Sequence, residues 1–106
     1  MLIVAGGWGG GEFLSSTEVL ADYDGSWREA EPLPSARAGL RGANLAGIFH
    51  VSGGVDYDTF YFFDTILAWD PVSETWSPAG QLTTARAYHG ITEVPLASIQ
   101  RFCRAL

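Results

Sequence analysis

The chain of 106 residues contains no lysine and only one cysteine, Cys103. All six basic residues are arginines, against twelve acidic residues, and the net charge is −6. The chain therefore lacks the positive field that non-specific binding to nucleic acid or to an anionic membrane requires. A lone cysteine excludes an intrachain disulfide and favours a reducing compartment, so a cytoplasmic location is expected.

Long apolar runs are also missing. No run approaches the roughly 20 residues that a membrane-spanning helix needs. The opening run, Leu2 to Ala5, is too short for a signal-peptide core and has no basic flank. What the chain does contain is 13 glycines, four tryptophans and 47% apolar residues, while only 17% of its residues are charged. This composition favours strands and turns over long surface helices, within one small domain.

A sequence pattern with a period of just under fifty residues occurs twice. The pair Gly6-Gly7 closes one apolar run and Gly53-Gly54 closes another, while Trp27 recurs as Trp76. The stretch from Leu33 to Ala38 recurs in the same way from Leu82 to Ala87. Paired glycines with a late tryptophan at this period are typical of stacked four-stranded blades. The glycines would allow close approach near the axis, and the two indoles would fill the wider gaps between blades.

The repeat predicts an all-β fold in which each unit reads as strand, glycine pair, loop, strand, turn and strand. Residues 1–48 form the first unit, which lacks its innermost strand, together with the inner strand of the second unit. Residues 49–87 complete the second unit, and residues 88–106 supply an extra inner strand and a tail with helical spacing. The predicted strands include Leu2–Ala5, Thr17–Tyr23, Gly42–Leu45, Phe49–Ser52, Thr65–Trp69 and Tyr88–Val94, with outer strands starting near Trp27 and Trp76.

These features resemble the Kelch repeat family. The matching elements are the glycine pair, a strand that ends in an aromatic residue and an aspartate (Trp69-Asp70), a tryptophan about six residues later, and an Ala-Arg step into the next unit. The resemblance covers residues 2 to about 94. It implies a partial Kelch-type β-propeller of about two four-stranded antiparallel blades with a short C-terminal helix. Because a closed propeller has more than two blades, the chain is expected to be part of a longer protein or to self-associate into a ring.

The loop after each glycine pair is the expected place for function, since propellers present loops on a rigid scaffold. The segment from Asp56 to Asp64 combines five aromatic residues with three acids, and aromatic residues are enriched at protein interfaces. Phe62 and Phe63 could instead fold back onto the core. Trp8, with Phe13, occupies the corresponding loop of the first unit. The residues of these loops predicted to contact a partner are Trp8, Tyr57, Asp58, Phe60 and Tyr61.

Arg37 and Arg86 recur at the same position of the two units. Kelch adaptors that this chain resembles use loop arginines to hold acidic peptides, and a guanidinium suits that task through bidentate pairing. Both arginines are therefore predicted to contact a partner. Their repetition also allows a structural role, in which each stacks on an aromatic ring or pairs with an acid between blades.

Catalytic motifs find little support in the sequence. His50 and His89 lie in predicted strands without a further ligand at metal-binding spacing. The glycine-rich stretch after Gly6 fits no dinucleotide motif, and a phosphate loop would need a lysine. No cofactor is expected. The resemblance implies a protein-interaction module, such as a substrate adaptor of a ubiquitin ligase or a scaffold, that recognises a peptide or protein partner. The alternative is part of a propeller oxidase or isomerase whose active residues lie on other blades.

Overall fold

The computed structural model describes residues 1–20 and 25–94. The tail predicted to form a helix, and Tyr23 at the end of one predicted strand, lie outside these residues. The described part contains strands and no helix. The strands are β1 (Leu2–Ala5), β2 (Trp8–Gly9), β3 (Glu12–Phe13), β4 (Thr17–Leu20), β5 (Trp27–Ala30), β6 (Arg41–Leu45), β7 (Ile48–Ser52), β8 (Val55–Asp56), β9 (Tyr61–Phe62), β10 (Thr65–Asp70) and β11 (Thr75–Gln81).

The strands form two antiparallel blade sheets, each with a small hairpin. The first sheet has the order β1-β4-β5, and the second has the order β6-β7-β10-β11. The hairpins β2-β3 and β8-β9 lie within the two segments that the sequence predicts as loops. Trp27 pairs with Leu20 in the first sheet as Trp76 pairs with Trp69 in the second. The two halves are therefore built alike, as a partial propeller.

The core lies between the two sheets. Successive side chains of a strand point to opposite faces of the sheet. Leu67 and Trp69 of β10 lie on the same face of the sheet as Trp76 of β11, and all three are buried there. Val19 on β4 and Leu33 join the same core cluster from the first unit. Phe49 and four other apolar residues of both units (Ile3, Ala5, Ala30 and Leu40) pack around it. Each sheet thus hides one apolar face against its neighbour.

Each glycine pair forms a hydrogen bond to the connection that follows its own unit. The amide of Gly7 donates to the carbonyl of Arg37 at 2.7 Å, and the amide of Gly54 donates to the carbonyl of Arg86 at 2.9 Å. Gly53 has a φ of +63°, and a Cβ there would collide with the same Arg86 carbonyl oxygen. Both the left-handed backbone and the close approach require glycine. This arrangement explains why the glycine pair recurs at a fixed distance from the connection that follows each unit.

One further hydrogen bond closes the base of each hairpin. The amide of Leu14 donates to the carbonyl of Gly7 at 2.8 Å, and that of Phe63 donates to Gly54 at 2.9 Å. The second of these segments is two residues longer than the first. The extra residues all lie in the turn of the β8-β9 hairpin, so the sheet on either side of it is unaffected.

One predicted strand does not form. Residues 88–94 are irregular, although they correspond by the repeat to β6. In the second sheet β6 forms its hydrogen bonds with the next strand, β7. Residues 88–94 have no such strand after them among the described residues. They are held instead by single hydrogen bonds to distant residues, such as the one from the Ala46 amide to a carboxylate oxygen of Glu93 at 2.7 Å.

Candidate partner-binding surface at the loop end

All the residues predicted to contact a partner lie at one end of the two sheets. This loop end consists of the segments 6–16 and 53–64 and the connections 31–40 and 82–88. The opposite end carries tight turns, at residues 46–47 and 71–74. Antiparallel strands alternate in direction, so each unit delivers its hairpin and its connection to the same end.

The turn of the β8-β9 hairpin displays a phenylalanine in a strained conformation. Phe60 has a φ of +55°, in the left-handed region that bulky residues rarely adopt, and its side chain is 76% exposed. The turn is stiffened by Asp56, whose Oδ1 accepts the amide of Asp58 at 3.0 Å. The corresponding turn of the first unit has Gly10 and Gly11 with positive φ. A non-glycine residue in this region carries local strain, which the surrounding fold has to hold in place.

Four rings, which we call the aromatic cluster, join the two hairpins: Phe13, Tyr57, Phe60 and Phe62. Tyr57 lies at their centre, with its ring centroid 5.8 Å from that of Phe13, 6.3 Å from Phe60 and 6.4 Å from Phe62. The contacts with Phe60 and Phe62 are edge to face, a favoured geometry for aromatic pairs. Tyr57, Phe60 and Phe62 are all exposed. The cluster is thus a continuous apolar surface shared by both units.

A cleft of about 600 Å³ opens beside this cluster. It is lined by the connection at Pro34–Ser35, by Tyr61 and Phe63, and by residues of the second sheet such as Leu67. Tyr61 and Phe63 pack edge to face with their centroids 4.9 Å apart. Phe63 is buried, whereas Phe62 stays exposed. Only one of the two phenylalanines therefore folds back onto the core.

Arg37 is buried at the edge of this cleft. Its guanidinium stacks 3.7 Å from the ring centroid of Phe63, and Nη1 donates to Oγ1 of Thr65 at 2.8 Å. Burial lowers the pKa of Arg37, and the nearby hydroxyl of Tyr61 partly offsets the effect. Within the described residues no carboxylate forms an ion pair with it. Through its contacts with Phe63 and Thr65, the Arg37 side chain links the connection after the first unit to the second unit.

Comparison with known proteins agrees with this architecture. No family model matches the chain. A Kelch-like protein 21 from Danio rerio is 31% identical over 80 residues, which are 76% of this chain and 13% of that protein. The Homo sapiens protein of the same name is 33% identical over 75 residues, 68% of this chain and 12% of that protein. The chain belongs to the Kelch repeat type. It spans about an eighth of the length of these relatives.

The Kelch repeat explains why Arg86 differs from Arg37. Nε of Arg86 donates to the carbonyl of Thr84 at 3.3 Å, as Nε of Arg37 donates to that of Ser35 at 3.4 Å. Arg37, however, is covered by the second unit, whereas Arg86 is exposed because no described unit follows it. A role of either arginine in binding a partner stays a prediction.

Trp8 corresponds to Val55 of the second Kelch unit. Trp8 pairs with Phe13 as Val55 pairs with Phe62. Val55 is fully buried, because it forms a bridge with Ala38 in the connection from the preceding unit. Trp8 is therefore exposed because, among the described residues, no preceding unit supplies a connection that would cover it. Its role in binding a partner is a prediction too.

The two histidines are engaged with neighbouring groups. Nδ1 of His50 lies 2.8 Å from the carbonyl oxygen of Ile48, and Nε2 of His89 lies 2.7 Å from Oγ of Ser52. Burial lowers the pKa of His89, and the charges of Arg41 and Arg86 add to the shift. Among residues 1–20 and 25–94 no three His, Cys, Asp or Glu side chains are grouped as metal ligands. The same part of the chain has no helix long and apolar enough to cross a membrane.

Sequence reasoning located the hairpin aromatics but missed the walls of the cleft. Thr65, Leu67 and Pro78 line it from the second sheet. In the sequence they are ordinary strand residues, and no local signal marks them. Phe13 was recognisable from its place in the first loop, but its contact with Tyr57 depends on how the two units stack.

Proposed function

We propose that this chain is part of a Kelch-type protein-interaction module whose partner binds at the loop end. The observation that carries the proposal is the exposed aromatic cluster, presented on a hairpin that rests on a packed sheet. Exposed aromatic rings on a rigid support are typical of interface anchors, because they bury a large area at little cost in conformational entropy.

The partner would contact Tyr57 and Phe60 first and then extend towards the cleft beside Arg37. Phe60 is the most exposed ring of the aromatic cluster. Tyr61 belongs to β9 of the hairpin and also lines the cleft, so it connects the two. An extended peptide or a loop of a folded protein would fit this path. The Kelch resemblance supports a place in a substrate adaptor or scaffold of a larger assembly, and we include a cytoplasmic location in the proposal.

Site-specific photocrosslinking tests the proposal directly. A photoreactive phenylalanine analogue would replace Phe60 in one variant and Val72 in a matched control. Val72 is 92% exposed and lies in a turn at the opposite end of the same sheet. We expect adducts with other proteins in a cell extract from position 60 and none from position 72. Equal adduct formation at the two positions would refute a specific surface at the loop end.

A further inference from the structure

We infer that the segment that binds the aromatic cluster is cationic, with lysine or arginine side chains that lie over the rings of Tyr57 and Phe60. This inference rests on the proposed function and adds the chemistry of the partner. It differs from the acidic peptide that the loop arginines predict from the Kelch resemblance.

The charge of the two hairpin segments is the first observation. Residues 6–16 and 53–64 contain no lysine, arginine or histidine. They carry four carboxylates, at Glu12, Asp56, Asp58 and Asp64. Asp56 and Asp58 flank Tyr57, and Glu12 precedes Phe13. Glu12, Asp56 and Asp58 therefore lie in the hairpins that carry the exposed rings, whereas Asp64 follows the closing bond of the second hairpin. This excess of acids disfavours an acidic ligand.

The arginines of the loop end do not neutralise this surface. The guanidinium of Arg37 is buried against Phe63 on the cleft side. Arg41, at the start of β6, donates to the carbonyl of His89 at 2.9 Å and lies 5.8 Å from the ring centroid of Tyr88, outside the two hairpins. Arg86 is exposed, and its Nε donates to the carbonyl of Thr84 in the connection after the second sheet. Glu12 and Asp58 are exposed and face an incoming partner. Asp56 accepts the amide of Asp58 and lines the cleft beside Arg37.

The rings themselves favour a cation. The face of an aromatic ring is negative and attracts an ammonium or guanidinium group within about 6 Å of its centroid. The edge-to-face contacts around Tyr57 fix these rings in orientation while Tyr57, Phe60 and Phe62 stay exposed. An arginine or lysine side chain would stack on a ring with its stem and reach a carboxylate with its head. Apolar and charged contacts would then act on the same side chain.

Two synthetic peptides test the inference on the complete 106-residue chain. One alternates arginine with leucine, and the other has glutamate at each arginine position. We expect the arginine peptide to bind about tenfold more tightly or better, as measured by fluorescence anisotropy, and to weaken as salt is added. Asp58→Asn and Phe60→Ala should each weaken its binding. Glu29→Gln and Val72→Ala, at exposed sites outside the loop end, should leave it unchanged.

The outcomes separate this inference from the proposed function. Equal or tighter binding of the glutamate peptide, lost in Phe60→Ala, would overturn the cationic partner and keep the interaction surface. Arginine-peptide binding that all four variants leave unchanged would show a non-specific attraction to an acidic protein and would overturn the inference. No binding of either peptide would overturn it too, while the crosslinking comparison between positions 60 and 72 would still stand.

Discussion

The indole Nε1 of Trp76 donates a hydrogen bond to Oγ1 of Thr17 at 3.0 Å, across 59 residues of sequence. This bond joins the outer strand of the second sheet to the middle strand of the first. Both residues are buried. It therefore fixes how the two Kelch units stack, which in turn sets the distance between their hairpins.

Thr17→Val should destabilise the chain because it leaves the buried indole N–H without an acceptor. The expected loss is about 1–3 kcal/mol of unfolding free energy, measured by urea denaturation. Thr17→Ser keeps the hydroxyl and serves as the control, with a smaller loss that reflects only the missing methyl group. Equal stability of Thr17→Val and the unchanged chain would contradict a structural role for the bond.

The two repeat tryptophans should respond differently to substitution. Trp76 is 8% exposed, whereas Trp27 is 48% exposed on the outer face of the first sheet. Trp76→Ala should cost about 3–5 kcal/mol, and Trp27→Ala much less, since its ring has no second sheet against it among the described residues. Acrylamide quenching of Trp27→Phe and Trp76→Phe checks the assignment, because loss of Trp27 should remove more of the quenchable emission. The reverse order of quenching would contradict the assignment.

Phe60→Gly should stabilise the hairpin relative to Phe60→Ala. Alanine removes the ring but keeps the strained left-handed conformation, whereas glycine adopts it freely. The difference should be about 1 kcal/mol, the lower end of the strain expected for a non-glycine residue there. Thermal unfolding of the two variants measures it, and both should bind the arginine peptide more weakly. If alanine proved the more stable, the strain at this position would be absent.

Gly53→Ala should be far more damaging than Gly10→Ala, although the two glycines have nearly the same φ, +63° and +61°. A Cβ at Gly10 meets nothing within 4 Å, whereas one at Gly53 collides with the carbonyl oxygen of Arg86. Conformational strain alone costs roughly 1–2 kcal/mol, so Gly10→Ala measures that part. Any excess in Gly53→Ala, read from denaturant midpoints, reports the collision. Equal losses would mean that the close approach of the Arg86 carbonyl does not limit this position.

Much of the fold was predictable because the repeat is a local signal that occurs twice. The apolar run before Gly53, the strand ending in Trp69-Asp70 and the late Trp76 all lie on the strands that the sequence predicts. The hairpin strands β2-β3 and β8-β9 were not predictable, because each strand has only two residues and no alternation can be read from so short a stretch. Residues 88–94 were predicted as a strand and form none, because a strand-like sequence also needs a neighbouring strand to pair with.

The site was predictable only in part, for a related reason. Tyr57, Phe60 and Tyr61 could be selected from composition alone, since five aromatic residues in one loop are unusual. The burial of Arg37 and the exposure of Trp8 depend on whether another unit packs against each residue. Stacking between units is a non-local property, so a sequence pattern within one unit cannot contain it.

The closing bonds at Gly7–Leu14 and Gly54–Phe63 make the hairpins interchangeable parts. The same pair of bonds encloses segments that differ in length by two residues, and both sheets keep their architecture. Other sequences could therefore be exchanged, lengthened or grafted between these bonds with little effect on the scaffold. Such a scaffold can accept insertions in one loop while its blades keep their shape.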